Sequence, residues 1–296
     1  TAGIISGGAD LTGNTGTMIK NTPQQTVEHP EGRLLAYGVR EHGMGGVMNG
    51  LTAHGGILPI GGTFFVFSDY MRGSVRLAAL SRAHVIYSWT HDSVGLGQDG
   101  PTHQPIEQLA SLRAMPGLQV IRPADANETA QAWRLAVDGE EPAAMILSRQ
   151  DLPVLAETAE RGAEGVAKGG YVLVPEAGDQ VADVVLVSTG SEVHVCVNAL
   201  GILADRGLRA RVVSLPCWEW FEDQDDEYRA SVLPAAVPTL AVEAAASFGW
   251  DRYADDSVSI DTFGSSAPGA VALANFGFTA ENVADRAVAL VERRPG

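Results

Sequence analysis

The sequence has few cysteines, few basic residues and no long apolar run. Cys196 and Cys217 are the two cysteines in 296 residues, and both lie in apolar surroundings. A disulfide framework is therefore not expected, and a reducing cytoplasm fits the composition. Lysine and arginine number 20 against 36 aspartates and glutamates, a net charge of −16. This charge argues against nucleic acid and against anionic membrane surfaces as partners, although local charge can still bind small anions.

A membrane-spanning helix is also not expected, because no apolar stretch reaches the roughly 18 residues that such a helix needs. No secretory signal peptide is visible. What the chain does contain is apolar strands that alternate with amphipathic helices, together with 34 glycines suited to strand–helix turns.

The alternation of strands and helices runs through both halves of the chain. It predicts an α/β protein with two consecutive doubly wound, mostly parallel sheets. Weak periodicity and many small or charged residues at 156–168 predict a linker. A first domain is therefore expected at 1–155 and a second, smaller domain at 169–296.

A glycine-rich loop follows an apolar strand predicted at 83–90. The loop reads SWTHDSVGLGQDGPTHQP from residue 88 to residue 105, and its glycines permit tight turns and close approach to a ligand. It carries two histidines and two aspartates within 13 positions: His91, Asp92, Asp99 and His103. Imidazole and carboxyl groups this close together in sequence suit proton transfer and anion binding. The alternative interpretation of the loop is an ordinary surface turn. The histidines have neither HxH nor HxxxH spacing, so a metal site is not predicted.

Further polar and aromatic residues follow predicted strands elsewhere in the first half. They are Asp10, Glu41, Arg149 and three aromatic residues spaced by three, Phe64, Phe67 and Tyr70. The carboxyl edge of a parallel sheet is where α/β proteins bind ligands. Each residue also has a structural interpretation: a turn for Asp10, a first-turn carboxylate for Glu41, core packing for the aromatic residues and a surface ion pair for Arg149.

The sequence resembles transketolases, which use thiamine diphosphate to move a two-carbon ketol unit between sugar phosphates. THDSVGLGQDGPTHQP at 90–105 is similar to their substrate loop, except that Gln98 stands where a glutamate is expected. GVREHGM at 38–44 is similar to the motif that holds the glutamate of thiamine enzymes, and TFFVFSDYMR at 63–72 to the pyrimidine-binding segment. VVSLPCWEWF, VEAAASFGW and FGSSAPG resemble the C-terminal domain. The likeness covers the whole chain but only the last two of the family's three domains.

The resemblance implies a cofactor site in the first domain. Glu41 would hydrogen-bond N1′ of the thiamine pyrimidine, so that the cofactor's own imino group can take the C2 proton. Phe64, Phe67 and Tyr70 would form the pyrimidine pocket, and Asp10 would lie near the cofactor.

The resemblance also implies a sugar-phosphate site. His103 would hydrogen-bond the transferred ketol and, with Glu41, be a catalytic residue. Asp99 would bind a hydroxyl near the reacting centre, and His91 and Arg149 would bind the phosphate as charge-assisted donors.

The family's diphosphate-binding domain is missing from this chain, because no GDG followed by an asparagine at metal-ligand spacing occurs in the sequence. The expected partner is therefore a domain or subunit of that type. That domain would hold the diphosphate and its Mg²⁺ or Ca²⁺. This chain alone is then expected to bind cofactor weakly and to catalyse nothing. It begins at Thr1, which is not an initiator methionine, and a strand is predicted already at Ile4 and Ile5. We therefore expect a subunit of a split enzyme or part of a longer chain, in a homodimer or heterotetramer.

Several other functions stay open. A deoxyxylulose phosphate synthase shares the DG-x-THQ loop but would differ around the glutamate. The β subunit of a 2-oxoacid dehydrogenase would lack the phosphate donors His91 and Arg149. A split transketolase-like enzyme that supplies a two-carbon unit in specialised metabolism is compatible with Gln98 and the unusual loop at 12–22. A non-catalytic assembly subunit is disfavoured, because Glu41, Asp99, His103 and Arg149 are retained together.

Overall fold

Two β-sheets follow one another along the chain, and helices flank both. The structure, a computed structural model, describes residues 3–293. Residues 1–2 and 294–296, at the outer ends of the two predicted domains, lie outside the described residues. The two consecutive sheets confirm the predicted α/β class.

The first sheet is built from six strands: β1 (Ile4–Gly8), β2 (Leu34–Ala36), β3 (Leu58–Phe64), β4 (Ile86–Thr90), β5 (Gln119–Ile121) and β6 (Ala143–Leu147). All pair in parallel, in the order β2-β1-β3-β4-β6-β5. Its helices are α1 (Glu41–His54), α2 (Arg72–Ser81), α3 (Gln108–Arg113) and α4 (Ala126–Asp138), with 3₁₀ helices at Phe65–Met71 and Val94–Leu96. Strand β4 is buried along its whole length, as a central parallel strand should be.

The second sheet has five strands: β7 (Tyr171–Val174), β8 (Val184–Ser188), β9 (Ala210–Ser214), β10 (Thr239–Val242) and β11 (Asp256–Val258). Their order is β11-β10-β8-β9-β7, and β7 alone among them runs antiparallel to its neighbour. The remaining helices are α5 (Ala156–Ala167), α6 (Glu192–Asp205), α7 (Trp218–Glu222), α8 (Asp226–Val232), α9 (Gly269–Asn275) and α10 (Ala280–Arg293), with a 3₁₀ helix at Trp250–Arg252. Within residues 3–293 no helix has the length and apolarity needed to cross a membrane.

Most of the predicted linker at 156–168 is helical, since α5 covers 156–167. The buried side of α5 includes Gly162 and Gly165, and the helix packs against α4 and β7. A Cβ at Gly165 would lie 2.2 Å from the Tyr171 ring. The small residues on which the linker prediction rests are in the structure those that allow a helix to pack closely.

A shared core joins the two sheets. Apolar side chains from β4, β6 and α4 lie in one buried cluster with those of β8, β9 and α6. The buried carboxyl of Glu128, on α4, accepts hydrogen bonds at 2.7 Å from the hydroxyls of Tyr171 and Ser214. Because core and polar contacts both cross from one sheet to the other, elements of the second sheet can position loops of the first.

Candidate functional site

The predicted site residues lie on segments that leave the carboxyl edge of the first sheet. Asp10 follows β1, Glu41 opens the helix after β2, and Phe64 ends β3. His91 follows β4, and Arg149 follows β6. Strands β2 and β3 lie on opposite sides of β1, so the connections diverge there and open the kind of crevice in which α/β sheets bind ligands.

A cluster of aromatic and imidazole rings stands at this edge. The Phe64 ring centroid lies 3.8 Å from that of His91 and 6.3 Å from that of His103. The Phe67 centroid lies 5.3 Å from that of His103 and 5.8 Å from that of Tyr70. Tyr70 is 69 % exposed, so the cluster has an open outer end. The structure thus brings Phe64 and Phe67, predicted for the cofactor, against the histidines predicted for the substrate.

His91 is the buried member of the predicted substrate group. It is 7 % exposed, and its Nδ1 lies 2.9 Å from Thr90 Oγ1. The pKa of His91 is lowered to about 4, chiefly by burial; the nearby charges of Arg149 and His103 act in the same direction, and Asp99 opposes them. These interactions place all four predicted substrate residues together, and they leave His91 neutral at pH 7.

Glu41 presents a nearly buried carboxyl at the first turn of α1, where the helix dipole favours negative charge. It is 7 % exposed, and no side chain or backbone group within residues 3–293 donates a hydrogen bond to its carboxyl. Helix α1 packs against the 3₁₀ helix Phe65–Met71, which carries Phe67 and Tyr70. A buried carboxyl without a protein donor is one that a ligand's N–H group can satisfy.

Asp10 begins a loop that folds over the ends of the central strands. It is exposed and has a left-handed backbone, with a φ of 67°. The carbonyl of Thr15 accepts a 2.8 Å hydrogen bond from Ser88 Oγ, and that of Asn14 a 3.4 Å bond from Thr90 Oγ1. The loop that departs from the family pattern therefore lies beside the end of β4, next to His91.

Gln104 anchors the histidine loop, a role that the sequence alone does not indicate. Its buried amide Nε2 donates to the carbonyls of Gly97 and Ser265, each at 3.0 Å, and more weakly to that of Val94 at 3.4 Å. Ser266 Oγ donates at 2.5 Å to the carbonyl of Gln98. Gln104 and Ser265 lie 161 positions apart, and Ser266 and Gln98 lie 168 apart, so only the folded chain shows that the second domain holds this loop.

A buried charged cluster lies beneath the same loop. Arg122 is fully buried, and its Nε and Nη2 donate to Asp92 Oδ2 at 3.1 and 2.8 Å. Its Nη1 donates to Glu192 Oε2 at 2.5 Å. Burial acts to lower the pKa of Arg122, but Glu192, Asp92 and Glu243 raise it above its ordinary value. In sequence an arginine at the end of a strand suggests a surface residue, because its partners lie in distant segments.

The edge therefore offers a stacking surface, a carboxyl without a protein donor, a guanidinium and two imidazoles. These groups suit a flat heteroaromatic ring on one side and a phosphorylated polyol on the other. No group of three or more His, Cys, Asp or Glu side chains that could hold a metal ion occurs among the residues that the structure describes.

Comparison with known proteins finds relatives for both halves of the chain. The family model "Transketolase, pyrimidine binding domain" matches residues 1–154, and "Transketolase-like TK C-terminal domain" matches residues 169–279. Curated transketolases from Halalkalibacterium halodurans and Geobacillus stearothermophilus are 50 % and 52 % identical over 98 % and 97 % of this chain. In each case the match covers 44 % of the relative, so the chain spans less than half the length of these proteins.

Solved structures give the same picture. Transketolase from Leishmania mexicana superposes with a TM-score of 0.95 at 45 % identity, covering 99 % of this chain and 43 % of that one. A Pichia stipitis transketolase in complex with xylulose 5-phosphate gives 0.93 at 44 % identity, covering 98 % and 43 %. A split-gene transketolase, described as an inactive β4 tetramer, shares the fold at 24 % identity, with a TM-score of 0.79 and coverage of 99 % and 93 %.

Proposed function

The chain belongs to the transketolase family, and we propose that it is the pyrimidine-binding and C-terminal portion of a thiamine-diphosphate-dependent transketolase. The complete enzyme would transfer a two-carbon ketol unit from a ketose phosphate to an aldose phosphate. The observation that carries this proposal is the ring cluster at the sheet edge. There, Phe64 and Phe67 lie directly against His91 and His103.

The cofactor half of the site fits an aminopyrimidine. When bound, thiamine diphosphate supplies the carbon nucleophile that the transfer requires. Phe64 and Phe67 offer partly buried ring faces for stacking, and Tyr70 borders them on the solvent side. The Glu41 carboxyl would hold a proton at N1′ of the pyrimidine, which supplies the partner that this carboxyl lacks among residues 3–293. Asp10 would line the same crevice from the end of β1.

The substrate half of the site fits a sugar phosphate. Arg149 is exposed and carries the positive charge for the phosphate, whereas His91 is neutral and would donate a single N–H. His103 would donate a hydrogen bond to the ketol oxygen and stabilise charge that develops there. Asp99 would accept a hydrogen bond from a neighbouring sugar hydroxyl.

The diphosphate and its divalent metal, Mg²⁺ or Ca²⁺, would be held mainly by a domain that this chain does not contain. Support comes from the length of the curated relatives, of which this chain covers 44 %. That domain would be a preceding segment of the same polypeptide or a separate subunit, in a homodimer or heterotetramer in the cytoplasm. The split-gene structure supports the second arrangement, because this chain covers 93 % of it.

A reconstitution assay tests the proposal. The chain is purified alone and together with the diphosphate-binding polypeptide of its own organism, each with thiamine diphosphate and Mg²⁺. Xylulose 5-phosphate and ribose 5-phosphate are added, and product formation is followed. We expect turnover from the pair and none from either part alone. Glu41→Gln in the pair should abolish turnover without changing the circular dichroism spectrum.

Two results would overturn the proposal. One is an assembled pair, verified by its mass in solution, that produces no ketose from these substrates. The other is near-normal turnover by the Glu41→Gln pair, since the carboxyl is assigned the proton at N1′.

A further inference from the structure

Asp92 ties the substrate loop to the protein interior at the position immediately after His91. It is buried, and its Oδ2 accepts two hydrogen bonds from Arg122. Its other oxygen, Oδ1, is buried without a hydrogen-bond partner within residues 3–293. The carboxylate is therefore held by one group, the Arg122 guanidinium.

Arg122 is in turn held by the second sheet. Its Nη1 donates to the carbonyl and hydroxyl oxygens of Thr189 at 3.1 and 3.0 Å, and to Glu192 at 2.5 Å. Thr189 lies on the turn between β8 and α6, which contains Gly190, and Glu192 is the first residue of α6. A Cβ at Gly190 would lie 2.5 Å from Arg122 Cζ, so only glycine allows this turn to approach so closely.

A second arginine keeps the cluster charged and rigid. Arg113 donates to both oxygens of Glu243 at 2.7 and 2.8 Å, and Thr189 Oγ1 donates to the same carboxylate at 2.5 Å. Burial acts to raise the pKa of Glu243, but Arg113 and Arg122 hold it at about 2. Glu243 therefore remains an anion and keeps Thr189 oriented toward Arg122.

His91 needs such support, because its backbone lies in the left-handed region with a φ of 70°. For a residue other than glycine this conformation costs free energy and persists only where the surroundings enforce it. The Asp92–Arg122 pair restrains the chain on one side of His91. The contact between Thr90 Oγ1 and His91 Nδ1 restrains it on the other.

We propose that Asp92 and Arg122 are positioning residues for His91, through which the second sheet sets the phosphate-binding end of the sugar site. The inference rests on the proposed function, in which His91 donates to the substrate phosphate. It gives the C-terminal sheet a part in substrate binding.

The test uses Asp92→Asn in the reconstituted pair. Asparagine keeps the shape of the side chain and one acceptor for Arg122 but removes the charge. We expect the KM for xylulose 5-phosphate to rise on the order of tenfold, with a much smaller change in kcat, because a misplaced donor weakens binding of the phosphate. The matched control is Asp183→Asn, which removes a carboxylate that accepts hydrogen bonds from Arg209 at the starts of β8 and β9 and should leave the KM unchanged.

A second readout, independent of turnover, follows the His91 imidazole by NMR titration in the same assemblies. In the unaltered protein His91 should stay neutral down to about pH 4. Asp92→Asn should move its pKa upward, toward the ordinary value near 6.5, because the released ring gains water. The charged groups around the ring, Arg149, Asp99 and His103, are unchanged. Loss of the Asp92 charge by itself would act in the opposite direction, so an upward shift reports movement of the ring.

Thr189→Val provides a second variant on the other side of Arg122. It removes the hydroxyl acceptor for Arg122 at the end of β8 and leaves the sequence of the substrate loop unchanged. We expect it to raise the KM for xylulose 5-phosphate about threefold. If Asp92→Asn does not fold, the same two measurements are made on Thr189→Val instead. An unchanged KM and an unchanged His91 titration in a folded variant would overturn the inference. A pair with no turnover even when unaltered would contradict the proposed function, and the titration would still decide the inference.

Discussion

At the scale of single residues, the site combines buried side chains, which are shielded from water, with exposed side chains that carry charge. His91 is buried and neutral, whereas Arg149 and Asp99 are exposed. The aromatic residues are divided in the same way, with Phe64 and Phe67 partly buried and Tyr70 exposed. A flat ring bound at this edge would therefore gain most of its contact from Phe64 and Phe67.

We expect Phe67→Ala to weaken the binding of thiamine diphosphate to the reconstituted pair by about fivefold, because a stacked aromatic pair contributes roughly 1 kcal/mol beyond the area that it buries. The measurement is isothermal titration of cofactor into the pair in the presence of Mg²⁺. Phe248→Ala, which removes an exposed aromatic ring from the second domain, is the control. Equal cofactor affinity in the Phe67 variant and the control would rule out a stacking role.

Residue types and strand ends could be predicted from the sequence, but the pairing of distant charges could not. The pattern of apolar strands places Asp10, Glu41 and Arg149 on segments that follow strands, and the structure has them there. Arg122 and Asp92 are 30 positions apart, and Arg122 and Glu192 are 70 apart. In the sequence alone, each of these three residues is an ordinary polar residue next to an apolar strand.

At the scale of secondary structure, small residues decide how closely the elements approach. Gly165 of α5 lies against the Tyr171 ring, and Gly45 of α1 lies against Ser74 of α2. A glycine lowers helix propensity by about 1 kcal/mol relative to alanine, which is why 156–168 does not indicate a helix from sequence. The packing of α5 against α4 and β7 compensates for that low propensity, and this packing is visible only in the folded chain.

Gly165→Ala should destabilise the protein by about 1–3 kcal/mol, because the added methyl group would overlap the Tyr171 ring. Gly201→Ala is the matched control, since Gly201 lies on the exposed face of α6 with no atom within 4 Å of the new Cβ. That substitution should stabilise the protein by about 0.5–1 kcal/mol. Urea unfolding of the three proteins gives both values, and equal stabilities would show that α5 does not pack as described.

At the scale of the whole molecule, buried polar groups join the two sheets in addition to the apolar core. Glu128 of α4 accepts hydrogen bonds from Tyr171 and Ser214, which belong to the second sheet. Gln104 and Arg122 of the first domain also reach second-domain partners. The two-sheet architecture was predictable from the alternation of strands and helices. These contacts between the sheets were not, since no local pattern encodes them.

Glu128 should make the stability of the whole molecule depend on pH. Burial raises its pKa, so the folded protein holds this proton at pH values where the unfolded chain has released it. The proton therefore stabilises the fold below the ordinary pKa of a glutamate, and this contribution is lost as the pH rises through the raised value. Glutamine cannot ionise, so Glu128→Gln should remove this part of the loss of stability at rising pH.

The measurement is urea unfolding of both proteins at pH 5 and pH 8. The difference in unfolding free energy, unaltered protein minus variant, should be larger at pH 5 than at pH 8. An equal or reversed difference would show that Glu128 is ionised throughout that range.

The central claim is that this chain supplies the pyrimidine and sugar-phosphate half of a two-carbon transfer, and isotope tracing tests it most directly. The reconstituted pair is given xylulose 5-phosphate labelled with ¹³C at C1 and C2, together with unlabelled ribose 5-phosphate, and the products are resolved by NMR. We predict that both labelled carbons appear together, still bonded, in sedoheptulose 7-phosphate, while the three-carbon aldehyde product is unlabelled. Label in the aldehyde, or no labelled seven-carbon ketose from an assembly that binds the cofactor, would contradict it.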